Sequence, residues 1–408
     1  MFCVIKLGFT LSIIYFLKMN KNNLSILLSA IEEEENKINE IIEFPLSQNN
    51  QEEKEEIDSK LYNMLLSDEE WIKLTNFSEF EVLHIWRKIE PFIPMFRKRG
   101  PLPKITMFDA FVLLLIEYKN YLDFDKLAIF IGQKSTTVQK ALKRIKNIAF
   151  YALSEWWKNN QPRPKPIENS NFPFIALAID TTSQEIFRPR RRFEEIKIYW
   201  DGKNEIYSLK KEVAVMTTPP YYALFSQKGR IGGMHDFHIF KENYKNYISY
   251  LQKLNNELEI IPNDKENNLW AVVMDKAYVG PEEETPGIRK ITPFKNPQNY
   301  NQKIFNNQIN KIRVVVECFF GRMNKLWKFC RDIYRWDHET FDKHFDLCLF
   351  LTNEHIFYSN LKDVDKQFYM KLLEKRKKEL NDKKEKRKQQ VEKYTQKKKE
   401  RINKKIIH

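Results

Sequence analysis

Two short runs constrain this chain more than anything else in it. FIALAID (174–180) and LWAVVMD (269–275) are apolar without alternation, and each closes on an aspartate. A run of that length and composition fits a strand covered on both faces, so helices must lie above and below the sheet that holds it. Between the two runs, Asp201-Gly202 is a hairpin signal joining IKIYW to IYSLKKEVAVM, and YYALFSQKG reads as a further strand. These three are expected to form an antiparallel set. A helix, FKENYKNYISYLQKLNNEL, precedes the second run; an irregular loop carrying Pro281, Pro286, Pro293 and Pro297 follows it and leads to a long helix beginning near Gln308. The order strand, hairpin strands, helix, strand, helix predicts a mixed α/β layer arrangement.

The preceding part of the chain has a helical period. Residues 20–60 mix asparagine with acidic runs and read as a flexible leader, with order expected from near Trp71. Ser78 and Glu81 make a capping box for a helix through Val82, Ile85, Trp86 and Ile89, which Pro91 ends. MFDAFVLLLIEYK (107–119) is apolar nearly all round and is expected to be buried. In FDKLAIFI, GQKS and TTVQKALKRI, helical spacing turns Leu127, Ile131, Val138, Leu142 and Ile145 inward. The same spacing leaves Thr136, Gln139, Lys140, Lys143 and Arg144 outside. That is the layout of a helix-turn-helix, with Gly132 at the bend and Ser135 as cap, whose basic face suits phosphates and a major groove. An ordinary helical hairpin has the same spacing. QPRPKP (161–166) links this helical region, 71–158, to the α/β region, 170–358.

Of the net charge of +14, residues 371–405 supply +11, with 17 Lys/Arg against 6 Asp/Glu. A polyanionic partner follows from such a balance. The segment 363–408 reads as a basic helical tail: an exposed helix with mixed-sign pairs, an electrostatic grip on DNA, or a nuclear import signal. Cys3, Cys318, Cys330 and Cys348 show no CxxC spacing, which speaks against a zinc module or a disulfide scaffold and for a reducing, intracellular setting. Residues 2–17 are apolar but broken by Lys6 and shorter than the ~20 residues of a spanning helix, so no stable membrane association is expected. A true start near Met19 or a frayed helix accounts for them.

Asp180 and Asp275 would sit close together if their strands were parallel neighbours. Glu317 reaches them from the long helix. There Ile312, Val316, Phe319, Met323 and Leu326 mark the face against the sheet, and Glu317 lies at its margin with Arg313 and Asn324 on the same side. Three crowded carboxylates repel unless a cation neutralises them. Mg2+ or Mn2+ prefers oxygen ligands, and two such ions about 3.5 to 4 Å apart suit in-line displacement at phosphorus. Arg190 and Arg191 in FRPRRRF, the hairpin residues Lys203, Lys210 and Lys211, and Arg313 would place positive charge around the acids where a nucleic-acid backbone must lie. His235-Asp236, after the glycines of GRIGG, reads as an accessory pair or as a loop terminus.

The series AIDTTSQEIFRP, YWDGKNEIYSLKKEVAVM, GGMHDFHIF, DKAYVG and IRVVVECFFGRMNKLWKF, from about Phe174 to Asn353, resembles in order and spacing the DDE transposases of the IS5 and PIF/Harbinger superfamily. The resemblance implies an RNase H-like catalytic fold in which Asp180, Asp275 and Glu317 are the catalytic, metal-binding acids. It also implies divalent metal dependence and cleavage at transposon ends, and it assigns His235-Asp236 to a further histidine-aspartate motif. Thr181, Thr182 and Ser183 stand where that family has glycine and often histidine, and Ala277 replaces a usual glycine. The expected protein is a transposase-type endonuclease and strand transferase, working on DNA as a homo-oligomer, with room for a separate DNA-binding partner protein. It would act in a nucleus if the host is eukaryotic and otherwise in the cytoplasm. The alternatives are a domesticated, non-cutting DNA-binding protein on the same fold, or a metal-dependent nuclease in repair or RNA processing.

Overall fold

The computed structural model describes residues 59–65, 67–96, 103–190 and 192–406. The apolar segment 2–17, most of the expected leader and Arg191 lie outside the described residues. Among those described, no helix is long and apolar enough to cross a membrane.

The helical region comprises α1 (Lys60–Met64), α2 (Asp68–Thr75), α3 (Glu79–Ile89), α4 (Met107–Asn120), α5 (Phe124–Ile131) and α6 (Ser135–Asn159). The Ser78/Glu81 capping box starts α3 as expected, and Pro91 sits in the 3-10 turn that follows it. α4 is buried almost throughout because other helices pack around it. The bend after α5 is made by Gly132 at φ 67°, and Lys60 Nζ caps the helix by donating to Ile131 O at 2.8 Å. Ser135 does not cap α6. Lys134 holds the cap position without a side-chain bond, and Ser135 is already the first helical residue.

The α/β region contains β1 (Ile175–Glu185), α7 (Phe193–Lys197), β2 (Trp200–Asp201), β3 (Ile206–Met216), β4 (Ala223–Ser226), β5 (Arg230–Ile231), α8 (Asp236–Asn243), α9 (Lys245–Leu251), β6 (Ala271–Met274), β7 (Arg289–Ile291), α10 (Tyr300–Leu326), α11 (Lys328–Arg331), α12 (Phe341–Tyr358) and α13 (Asp363–Ile406). The sheet runs β2-β3-β1-β6-β7, with β4 and β5 also paired to β3. β1 is antiparallel to β3 and parallel to β6, which is parallel to β7. This mixed sheet, flanked by helices and preceded by a helical region, is compatible with an RNase H-like domain.

Four expectations need correction. IKIYW is not a strand: Glu194 and Glu195 in the first turn and Lys197 in the last favour the short helix α7, leaving two residues for β2. The turn that follows takes its positive φ at Glu205 (55°) rather than at Gly202. The expected helix 240–258 is two helices, α8 and α9, and ends at Leu251. The proline-bearing loop holds the three-residue strand β7, too short for any periodicity to betray it.

One hydrophobic core runs through both regions. Phe77 packs on Trp327, Tyr118 on Phe329, and Phe124 stacks on Trp336 at 5.7 Å between centroids. Asn76 Nδ2 donates to Leu326 O at 2.6 Å, and the Tyr121 hydroxyl to Ile333 O at 2.6 Å. The 161–166 link is itself pinned, because Arg163 bonds Glu257 and the carbonyls of Tyr250 and Gln252.

Candidate active site

The parallel register of β1 and β6 pairs Ile179 with Met274. Asp180 and Asp275, one residue beyond that pair, therefore stand side by side where β6 stops. Asp180 is not the end of its own strand: β1 continues to Glu185 because β3 gives it partners that far, with Asp180 opposite Val213. Alternation puts Asp180, Thr182, Val213 and Lys211 on one face of the sheet. α10 and α12 cover that face. Lys211 is buried there against Asp342 (2.6 Å) and Asp346 (3.1 Å) of α12.

α10 begins at Tyr300, earlier than its apolar pattern suggests, capped by the Asn299 side chain. Its buried stripe is the expected one, with Val316, Phe319, Met323 and Leu326 inside. Arg313 and Glu317, one turn apart, then face Asp180. Arg313 Nη1 donates to Asp180 Oδ2 at 3.2 Å and Nη2 to Glu317 Oε1 at 2.8 Å. Burial works against the charged guanidinium, but Asp180, Glu317 and Asp275 outweigh it and hold its pKa above the ordinary value. Asp180 and Glu317 thus share one cation by direct contact, and Asp275 adds to the field around it. Arg313 is no rim residue; it lies among them.

Burial pushes Asp180 up to about 6, against the pull of Arg313, Lys203 and the Thr181 N–H, while nearby Asp236 adds to the rise. Asp275 is half-buried at the head of the 3-10 turn Lys276–Tyr278. The loop after it lies flat on α8 because Gly280 has no side chain: a Cβ there would stand 2.1 Å from the Phe237 ring. Of the His235-Asp236 pair at the start of α8, only Asp236 acts on Asp180. His235 is exposed and caps α8, Nδ1 accepting from Phe237 N at 3.3 Å. Asp236 is buried and accepts from Lys210 Nζ at 3.2 Å.

That contact corrects the placement of Lys210 and Lys211 on a charged rim. β3 is covered on both faces, so Lys210 is drawn inward to Asp236 and Met234 O, and Lys211 to α12. Lys203 and Arg190 are exposed. Lys203 rides on a turn fixed by buried Asp201, whose carboxylate accepts from Ser183 Oγ, Lys203 N, Asn204 N and Asn204 Nδ2. Of the α6 residues, Thr136, Gln139, Lys140 and Lys143 are exposed, while Arg144 is half-buried and reaches Phe96 O at 3.4 Å.

Glu212 escaped the sequence reading. It lies opposite Thr181, bonds the Tyr247 hydroxyl at 2.7 Å, and its Oε2 has no hydrogen-bond partner among the described residues. Burial pushes its pKa up to about 8, with Asp236 and Asp180 adding to the rise and Tyr247 opposing it. The only sequence signal is a glutamate inside an apolar strand. Because the folded chain keeps this proton up to about pH 8 and the unfolded chain releases it near 4.5, the stabilisation is complete below 4.5 and is lost as pH rises through 8. Glu212→Gln should therefore flatten the fall of the thermal midpoint between about pH 5 and 8. Parallel midpoint curves for the two proteins would refute the assignment.

Among the described residues, no three His, Cys, Asp or Glu side chains are gathered to hold a metal as they stand. The donor set nevertheless fits a hard cation: the acids offer only carboxylate oxygens, and two of them already share the positive charge of Arg313.

Residues 179–353 match the family model of the DDE superfamily endonuclease. The matched stretch contains Asp180, Asp275, Glu317 and the His235-Asp236 pair, and it supports a transposase-like nuclease at the level of the family. Comparison with curated proteins and with solved structures gave no match.

Proposed function

We propose that this chain is a divalent-metal-dependent DNA endonuclease and strand transferase of the IS5 and PIF/Harbinger type, acting at transposon ends. Asp180, Asp275 and Glu317 are its metal-binding acids. The observation that carries the reading is the adjacency of Asp180 and Asp275 at the end of β6, with Glu317 joined to Asp180 through Arg313. Bound Mg2+ or Mn2+ would supply an activated attacking oxygen and charge neutralisation at the leaving one. The chain's own part is to hold the three carboxylates at one sheet edge and to keep Arg313 beside them, where its guanidinium can turn from carboxylate to phosphate. Exposed Lys203, whose charge acts on Asp180, would meet DNA beside the acids, and exposed Arg190 and the outer face of α6, with Thr136, Gln139, Lys140 and Lys143 and half-buried Arg144, offer further contacts with duplex DNA.

Nicking of supercoiled plasmid by the purified chain in Mg2+, Mn2+ or EDTA tests this. Metal-dependent nicking that disappears in both Asp180→Ala and Glu317→Ala is expected. Its absence in every metal, from folded chain that binds DNA, would overturn it. A second reading, a non-cutting DNA-binding protein, draws on the closed Arg313 contact with Asp180 and Glu317, and that second result would favour it.

A further inference from the structure

Helix α13 lies outside the stretch that carries the family resemblance, yet it is built into the candidate active site. Asp365 is buried against Arg322 of α10, two oxygens to two nitrogens at 2.8 and 2.9 Å, and the same guanidinium donates to Ser359 O and Asn360 O. Gly321 allows the crossing: a Cβ there would stand 1.9 Å from Asp365 O. At the next residue, Lys366 Nζ is 3.9 Å from Glu317 Oε2, and one turn along Tyr369 meets Thr182 close to Asp180 and Glu317. Further along, Arg376 donates to Arg331 O, and Lys384 pairs with Glu205 on the β2–β3 turn.

These contact residues fall on one stripe. Lys366, Tyr369, Leu373, Arg376, Leu380, Lys384 and Arg387 follow each other at intervals of three or four, with Lys377 and Lys388 beside them. At about 100° per residue, the acids Glu374, Glu379, Asp382, Glu385 and Glu392 all lie away from that stripe. Beyond the buried Asp365, the face turned to the catalytic side is therefore free of acids, with Lys366, Arg376, Lys384 and Arg387 set between Tyr369, Leu373 and Leu380. Beyond Lys384 every described residue to Lys397 is exposed, so the helix leaves the globule with this face open. Beyond Lys384 the described surface is polar apart from exposed Val391 and Tyr394, so no packing accounts for the length of that part. From Lys371 to Lys397 it extends about 39 Å, slightly more than the roughly 34–36 Å of one duplex turn.

We propose that the cationic stripe of α13 is a rail for the phosphate backbone of the DNA duplex leaving the catalytic cleft, anchored to the catalytic helix by Arg322, Asp365 and Gly321. The rail rests on the nuclease reading for its direction, not for its charge. In the full-length chain, two quadruple variants change net charge equally: Lys377, Lys384, Arg387 and Lys388 to Gln on the stripe, and Lys371, Lys375, Lys386 and Lys393 to Gln on the other face. Both are exposed replacements whose helicity circular dichroism can check. Affinity for a 40-base-pair duplex is read by fluorescence anisotropy in EDTA from low to moderate salt. The stripe variant should lose about 3 units of the slope of log K against log salt and bind about 10- to 100-fold more weakly, with a much smaller change for the other face. Equal losses would mean unspecific charge, and an unchanged stripe variant would mean no contact; either overturns the rail. Both leave the nuclease reading standing, because plasmid nicking is scored separately. Absent nicking with stripe-dependent binding would instead defeat the nuclease and keep the rail.

Discussion

Asp275→Asn should abolish cleavage while leaving DNA affinity in EDTA nearly unchanged. The amide keeps the shape of the residue at the end of β6 but removes the charge that a divalent cation needs. Outer partners of metal sites already cost roughly 10- to 100-fold when removed, so loss of a direct ligand should exceed about 100-fold in nicking rate. The binding prediction follows from charge: Asp275 is half-buried beside Asp180 and offers DNA no cation, whereas Lys203 and Arg190 are exposed. Equal losses of binding and cleavage would show that Asp275 serves the fold or the DNA contact, and the division of labour proposed here would fall.

Asp365→Ala should be the most destabilising single change outside the hydrophobic core. Arg322 is 1% exposed and is satisfied on all sides by Asp365, Ser359 O and Asn360 O. Removing its carboxylate leaves a buried charge uncompensated, at a cost of about 3–5 kcal/mol, and frees the start of α13 from α10. A thermal midpoint within a degree of wild type would show that the pair is not holding the helix. Lys366 and Tyr369 would then need another reason to stand beside Glu317 and Thr182.

Local patterns were legible where a single element decides the outcome. The Ser78 capping box, the all-round apolar α4 and the stripe of α10 each depend on residues within a few turns, and each appears in the structure as read. The two apolar runs ending in aspartate were legible as buried strands, but that they are parallel neighbours was only a condition in the sequence, met by the pairing of β1 with β6. What escaped depends on partners far away in sequence. Lys210 and Lys211 look like surface charges until α8 and α12 bring Asp236, Asp342 and Asp346 to them. β7 is three residues long and exists only because β6 offers an edge. Gly321, in the middle of a long helix, was the one local sign that another backbone must pass close by, and it marks where α13 crosses.

The aromatic seam between the helical region and the helices beside the three acids bears on how the chain would measure DNA. Phe77 on Trp327, Tyr118 on Phe329 and Phe124 on Trp336, with Phe150 of α6 against Phe350 of α12, join the helical region and the three acids into one packed body. A duplex gripped by the outer face of α6 could not be offered to Asp180 at a variable distance by a swinging domain. The interval between the grip and the scissile phosphate would be set by the protein's own dimensions, so the chain would act as a ruler, and lengthening the 161–166 link would leave the cut where it was.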